Sequence, residues 1–307
     1  MWWLTCVWLK TPQDEKKMTD LVVRLRAWTD AKVDVVFESG VDIKFMSALR
    51  RTITEDLATL CFDRMHVLQN GSTRDDEQIQ QNLQFTHLKR PARPLTLPKR
   101  CECGEKGCDK CQIMVEFKAK VAAGDIAQTV NAGAACVADP QRLLSNPTCA
   151  YTCLTILGSG RDLHVRAFAR VLFGRQHASG MAAACATFLF TPNIRLHRKL
   201  QETTQKTKTT IVSSCPRKVL DLSAQGVVSV RRPDLCTFCN RCVHIAEEHK
   251  LHDCIVITPR ERAGRFFIDS KGGVPAPVLL ADGIEALRLR LEALRVSLRQ
   301  AFVRLST

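Results

Sequence analysis

With 307 residues, the chain has material for one large core or two smaller ones, and its 45% hydrophobic and 25% charged content is that of a soluble globular protein. No apolar run approaches the roughly 18 residues of a membrane helix, so a helical membrane protein is excluded. The net charge of +14 admits nucleic acid, an acidic partner or a charged assembly without choosing among them, while fifteen cysteines, several in CxxC-like spacings, favour metal in a reducing compartment over a disulfide scaffold.

The opening segment Trp2-Trp3-Leu4-Thr5-Cys6-Val7-Trp8-Leu9 is apolar like a signal core but lacks a basic lead and a small-residue cleavage site. Residues 1–17 therefore read as an extension or a misassigned start, with Met18 opening the folded part. Residues 21–25 and 33–37 alternate like strands turned at Thr29-Asp30. After Gly40, Phe45, Leu49, Ile53 and Leu57 recur every four residues beside Met46, which predicts a helix with Asp42 as its N-cap. Arg50 and Arg51 fall off that stripe.

A short strand is predicted over 65–68, followed by a polar stretch from 70 to 82. There Asp75, Asp76 and Glu77 beside Arg74 read as a solvated loop rather than a magnesium site. Pro91, Pro94 and Pro98 stiffen the approach to the first cysteine cluster. Residues 112–121 alternate like a strand, and 122–149 carry no clear period. Strands are predicted at 154–157 and 163–173 around Gly158-Ser159-Gly160, and 182–190 reads as strand or buried segment. Residues 201–210 are polar and read as a linker into a cysteine-rich module at 211–258. A last strand at 266–268 precedes a long helix in which Ile284, Leu287, Leu291, Leu294 and Leu298 form a coiled-coil-like seam. Arg288, Arg290, Arg295, Arg299 and Arg304 line its remaining surface.

Seven of the fifteen cysteines sit in two runs. Cys101, Cys103, Cys108 and Cys111 offer two close pairs with Gly104 and Gly107 between them, a complete tetrahedral set for one structural zinc. The competing reading is free loop thiols. Cys236, Cys239 and Cys242 match three ligands of the bacterial ferredoxin pattern, whose fourth is a remote Cys followed by Pro; Cys215-Pro216 is such a pair. A [4Fe–4S] cluster is the reading, with a three-iron cluster, a second zinc or a metal-free module as alternatives and Cys254 as an alternative fourth ligand. Cys6, Cys61, Cys136, Cys149, Cys153 and Cys185 stand singly among apolar residues and read as small core side chains. His244, His249 and His252 read as a solvated helix face. No GxSxG, Walker A, GxGxxG or HExxH is present, so no catalytic residue is assigned.

Several segments together resemble the alpha-like RNA polymerase subunits: bacterial alpha, its archaeal counterpart, and the third-largest eukaryotic subunits. Val35-Val36-Phe37-Glu38-Ser39-Gly40-Val41-Asp42-Ile43 followed by Ser47-Ala48-Leu49-Arg50-Arg51 is similar to that family's strand, turn and dimerisation helix. Asp76-Glu77-Gln78-Ile79 with Leu83, Gly174-Arg175-Gln176-His177-Ala178 through Ala184, and Phe267-Ile268-Asp269-Ser270-Lys271-Gly272-Gly273-Val274-Pro275 resemble further family stretches. Gly180 and Met181 depart from the usual serine-proline there, which leaves the local loop geometry open.

The resemblance implies an α+β fold. Its discontinuous dimerisation domain would span 18–90 and 260–307, and an insert domain would span 91–204 with the zinc loop at 101–111. A ferredoxin-like module would follow at 205–259. It also implies a non-catalytic scaffold of a polymerase II type enzyme, pairing with a smaller alpha-like subunit and docking the two largest subunits and small assembly subunits. DNA would be met only through the complex, and no membrane is expected. The expected location is the nucleus, or the cytoplasm in an archaeal or viral setting. Phe45, Leu49, Arg50, Arg51, Ile53, Ile284, Leu287, Leu291, Leu294 and Leu298 are the expected interface residues. The rival readings are the subunit shared by polymerases I and III, an iron–sulfur redox protein, and a stand-alone nucleic-acid binder.

Overall fold

The computed structural model describes residues 21–104, 106–144 and 151–306, with side chains to Phe302 at the C-terminal end. Expectations placed on residues 1–17, Met18, Cys6, Cys149 and the Arg304 side chain lie outside the described residues. The fold is mixed α+β, as expected, and divides into two compact units. One holds described residues among 1–25, 35–46 and 188–266; the other holds those among 26–34, 47–187 and 267–307.

The larger part of each strand of a four-stranded sheet lies in the first unit: β1 (Val22–Trp28), β2 (Lys32–Ser39), β9 (Ala183–Leu196) and β12 (Ile255–Ser270), in the order β1-β2-β12-β9. β12 runs sixteen residues where alternation marks only 266–268. Its first half is held as strand by β9 alongside, at whose end the His197 N–H donates to the Cys254 carbonyl at 2.8 Å, a tertiary effect that local pattern does not carry. Helix α1 (Ile43–Arg51) starts where expected: Asp42 Oδ1 accepts from the Lys44 N–H at 2.7 Å, and the Asp42 carbonyl accepts from Phe45 and Met46.

Between β9 and β12 the chain forms a small cysteine-rich module. It contains α4 (Arg198–Gln201), α5 (Gln205–Ser213), the antiparallel hairpin β10 (Leu220–Leu222) and β11 (Val228–Val230), and α6 (Arg241–Glu248). Leu200, Ile211, Leu220, Val228, Ala246 and Ile255 are among its core residues. The linker expected at 201–210 is therefore mostly helix. Thr204 caps it, accepting from the Thr207 N–H, and the Thr209 and Thr210 hydroxyls donate to the carbonyls one turn back at 3.0 Å each. Its anchor is a buried lysine: Lys208 Nζ donates to the carbonyls of Gln201 (2.6 Å) and Gly226 (2.8 Å). A search for apolar anchors passes over such a residue, although its methylene stem packs like one.

The second unit carries the sheet β3-β8-β4-β6: β3 (Ala58–Asn70), β8 (Asp162–Phe173), β4 (Gln112–Lys120) and β6 (Cys136–Ala138). The pair β5 (Gln128–Asn131) and β7 (Cys153–Leu157) accompanies it, with the short helix α3 (Ala132–Ala135) between β5 and β6. The polar stretch 70–82 is not a loop throughout, because α2 (Asp76–Gln84) buries Ile79 and Leu83 one turn apart. Asp76 and Glu77 occupy its first turn, where negative charge is favoured by the helix dipole, and Asn70 Nδ2 donates to Asp76 Oδ1 at 2.7 Å. Phe62, Val115, Phe117, Leu154, Leu157 and Val165 are fully or nearly fully buried in the core beneath the sheet.

On the other sheet face Glu116 accepts from His164 (2.8 Å) and Arg166 (3.2 Å). The His164 hydrogen bond, with Arg166 and Lys118 nearby, pulls Glu116 from 4.5 down to about 2. The stability this cluster adds is complete above pH 4.5 and is lost as pH falls toward 2. Glu116→Gln is expected to flatten the acid limb of a melting-temperature profile in that window. An unchanged limb would show the cluster to be inert.

The C-terminal helix α7 (Ala276–Ser306) is 31 residues long, about 46 Å at 1.5 Å per residue. Its first turns are packed: Ala276, Leu279 and Leu287 are buried, and Gly283 lies against Ile53 and Leu49. A side-chain Cβ at Gly283 would come within 2.5 Å of Ile53 Cγ1. Ile53 sits in a π-helical turn, Thr52–Asp56, that extends α1. Arg290 pairs with Asp56, which Arg175 also reaches, and Arg90 pairs with Asp282.

Candidate metal centres and exposed faces

The first centre is shaped by backbone. A 3₁₀ turn, Pro98–Arg100, delivers Cys101, and the Gly104 N–H bonds back to the Cys101 carbonyl. Gly104 and Gly107 have φ of +60° and +99°, a region that a side chain resists, and a Cβ on Gly107 would strike the Gln112 amide at 2.3 Å. The Cys108 N–H donates to Cys111 Sγ at 3.4 Å, and the Cys111 N–H to the Cys108 carbonyl at 3.0 Å. The four sulfurs lie within 4.8 Å of one another, with separations of 3.5 Å (Cys101–Cys108), 3.6 Å (Cys103–Cys111) and 3.8 Å (Cys108–Cys111). A tetrahedron of sulfurs about 2.3 Å from one zinc has edges of about 3.8 Å, so this donor set fits a single tetrahedral ion. The Gly107 N–H draws the Cys103 thiol down to about 7, while burial raises Cys111.

The second set converges differently. Cys215, Cys236, Cys239 and Cys242 line one cavity, walled by Ile194, Val219, Leu220 and Ile257. Burial raises Cys242 to about 11, and the charges of Cys215, Cys236 and Cys239 add to the rise. Phe238 and Asn240 flank Cys239 at φ 55°, a left-handed turn that is costly for a phenylalanine and bends the loop around the cavity. Phe190 on β9 meets the Phe238 ring edge-on at 6.2 Å. Among the described residues only the 101–111 quartet gathers three or more ligand atoms within 4.8 Å of one another, so the sulfurs of the second set are more widely spaced. Cys254 is a core residue of the module outside this cavity; Cys215 lines it.

The single cysteines divide: Cys61 is buried, whereas Cys136, Cys153 and Cys185 are only half-buried. His244, His249 and His252 are exposed, as the solvated-face reading expects. The sequence reading missed Lys208 and the left-handed pair Phe238/Asn240; no local pattern announces either.

The helical stripes split as well. Leu49 (1% exposed) and Ile53 (0%) are core residues against α7 at Gly283, and Leu287 (8%) on α7 is buried too. Phe45, Ile284, Leu291, Leu294 and Leu298 are exposed, and every residue from Arg288 through Phe302 is exposed. Arg51 faces Glu55 at 3.7 Å, the ordinary surface pair; Arg50 is half-buried, with no ion pair among the described residues.

No protein-family model matches the chain. Among characterised proteins it is similar over most of its length to "DNA-directed RNA polymerases IV and V subunit 3B" of Arabidopsis thaliana, 26% identical over 83% of this chain and 85% of that one. It is likewise similar to "DNA-directed RNA polymerase II subunit rpb3" of Dictyostelium discoideum, 24% identical over 82% and 87%. The archaeal "DNA-directed RNA polymerase subunit Rpo3" of Methanosphaera stadtmanae is 23% identical over 82% and 89%. The chain is a homologue of the alpha-like RNA polymerase subunits. The helix at Asp42 and the long C-terminal helix thus belong to a chain related to these subunits along most of its length. Among the described residues no helix is long and apolar enough to cross a membrane.

Proposed function

We propose that the chain is the assembly-platform subunit of a DNA-directed RNA polymerase of polymerase II type. It would pair with a smaller alpha-like subunit and dock the two largest subunits, with small assembly subunits alongside and DNA reached only through the complex. The observation that carries this reading is the distal half of α7. Leu291 (57% exposed), Leu294 (55%) and Leu298 (60%) stand on a stretch of helix, Arg288 to Phe302, in which every residue is exposed. An apolar seam of this kind is what a partner helix buries. Phe45 and Arg50 supply further contact positions.

In this reading the subunit carries no catalytic residue, and nucleotidyl transfer belongs to the large subunits. The quartet Cys101, Cys103, Cys108 and Cys111 holds one zinc, a cross-link that replaces core the loop cannot supply. Cys215, Cys236, Cys239 and Cys242 hold an iron–sulfur cluster; their wider spacing favours it over a second zinc. The cluster's part is structural, closing a module whose own core is small. The subunit shared by polymerases I and III is the weaker alternative, since the relatives described above are named for polymerases II, IV and V and the archaeal enzyme. In a eukaryotic cell the expected location is the nucleus.

The test is purification of the tagged chain from its own cells with mass spectrometry of what accompanies it. Recovery of a smaller alpha-like subunit and one type of largest subunit supports the assignment. A chain recovered alone or with redox partners overturns it.

A further inference from the structure

A cleft of about 580 Å³ opens across the β3–β8 pair of the second unit, at the register shift between Phe62 and Arg64. Its wall carries Arg64, Lys99, Arg100, Arg170 and Arg175 against a single lining carboxylate, Asp63. Asp63 is committed to the buried Arg170, at 2.9 Å, and Arg175 leans on Asp56 at 3.3 Å. Among the described residues no ion pair holds Arg64, Lys99 or Arg100, and all three are exposed. Three uncompensated cations around one concavity repel one another and gain when an anion enters. Arginine forks in particular match carboxylates and phosphates.

The rest of the lining decides which anion. Leu97, Pro98, Val171 and Leu172 make an aliphatic wall, and the ring of Phe173 is covered by the Arg175 guanidinium at 5.0 Å. Single-stranded nucleic acid gains affinity by stacking bases on open aromatic faces, and this cleft offers none. We propose that the cleft is a docking site for a short acidic segment of a partner protein, its carboxylates on Arg64, Lys99 and Arg100 and an aliphatic side chain on the wall. Lys99 and Arg100 form the turn that runs directly into Cys101, so the cleft's floor is set by the same loop that gathers the sulfurs. The inference stands on the cleft's own geometry and does not depend on the assembly reading.

The experiment uses the full-length chain and a fluorescein-labelled peptide of alternating aspartate and glutamate around one leucine, read by anisotropy. Saturable binding is expected. Arg64→Glu with Arg100→Glu should weaken it by about tenfold or more, while Lys118→Glu with Lys120→Glu, on the same unit, leaves it unchanged. If the charge reversals lower the melting temperature, Arg64→Gln with Arg100→Gln should still weaken binding with melting intact. No saturable binding, equal loss in the Lys118/Lys120 variant, or no loss in the glutamine variant overturns the proposal. So does single-stranded RNA of equal charge binding as tightly with the same dependence on Arg64 and Arg100, which would make the cleft a nucleic-acid site.

Discussion

Cys111→Ser is expected to strip the 101–111 loop of its metal and unfold the segment between Thr96 and Gln112. Cys111 is fully buried at the foot of β4, and its sulfur accepts the Cys108 N–H, so the position is both ligand and core. A serine hydroxyl stays protonated at neutral pH and cannot replace a thiolate. Structural zinc sites bind with apparent free energies on the order of 10 kcal/mol, comparable to the whole stability of a domain. Elemental analysis should show the zinc equivalent gone, and limited proteolysis should cut near Lys106 and Lys110 while the β3-β8-β4-β6 sheet persists. Because ligation needs thiolates, acidification should release zinc from the wild type as well, with Cys103, at about 7, the readiest to hold its charge. Unaltered zinc content and proteolysis in the variant would mean that these are free loop thiols.

Leu291→Asp, Leu294→Asp and Leu298→Asp combined should leave the chain folded and remove its partner. All three side chains are exposed within the chain, so their loss opens no cavity, and the melting temperature should hold. Full burial of a leucine is worth roughly 1.5–3 kcal/mol, and a carboxylate buried in its place adds a penalty. Three such changes amount to well over a hundredfold in affinity at about 1.4 kcal/mol per tenfold. Co-purification with the smaller alpha-like subunit should disappear. Leu287→Asp, a core position, should instead lower the melting temperature, which separates loss of interface from loss of fold. Retained co-purification in the triple variant would remove the distal helix from the interface.

Much of the fold is legible in local pattern. The Phe45–Ile53 stripe and the 3-4 seam of α7 are periodic enough to specify helices, and the cysteine spacings single out the 101–111 quartet and the four cysteines that line the second cavity. Other features depend on distant neighbours. The first half of β12 is strand because β9 runs beside it, and α5 is helix because Lys208 finds two carbonyls, one of them brought by the β10–β11 hairpin. The fates of Leu49, Ile53 and Leu287 are illegible for a related reason. An apolar stripe declares that it will be buried but not by what, and here it is the chain's own terminal helix that covers two of them. The basic cleft has no local signature because its cations come from β3, a turn and β8, far apart in sequence.

Gly283 gives that terminal helix a fixed seat. In a helix interior glycine costs about 1 kcal/mol relative to alanine, yet here its bare backbone fits against the Ile53 side chain where no Cβ has room. Sliding α7 by one residue would bring Asp282 or Ile284 onto that spot, and neither fits. One missing side chain therefore works as an indexing notch, setting both the rotation and the reach at which the exposed half is offered. A partner meeting a surface already held in position loses less freedom on binding. A bulkier residue at this single place would re-aim a lever whose working end lies several turns away.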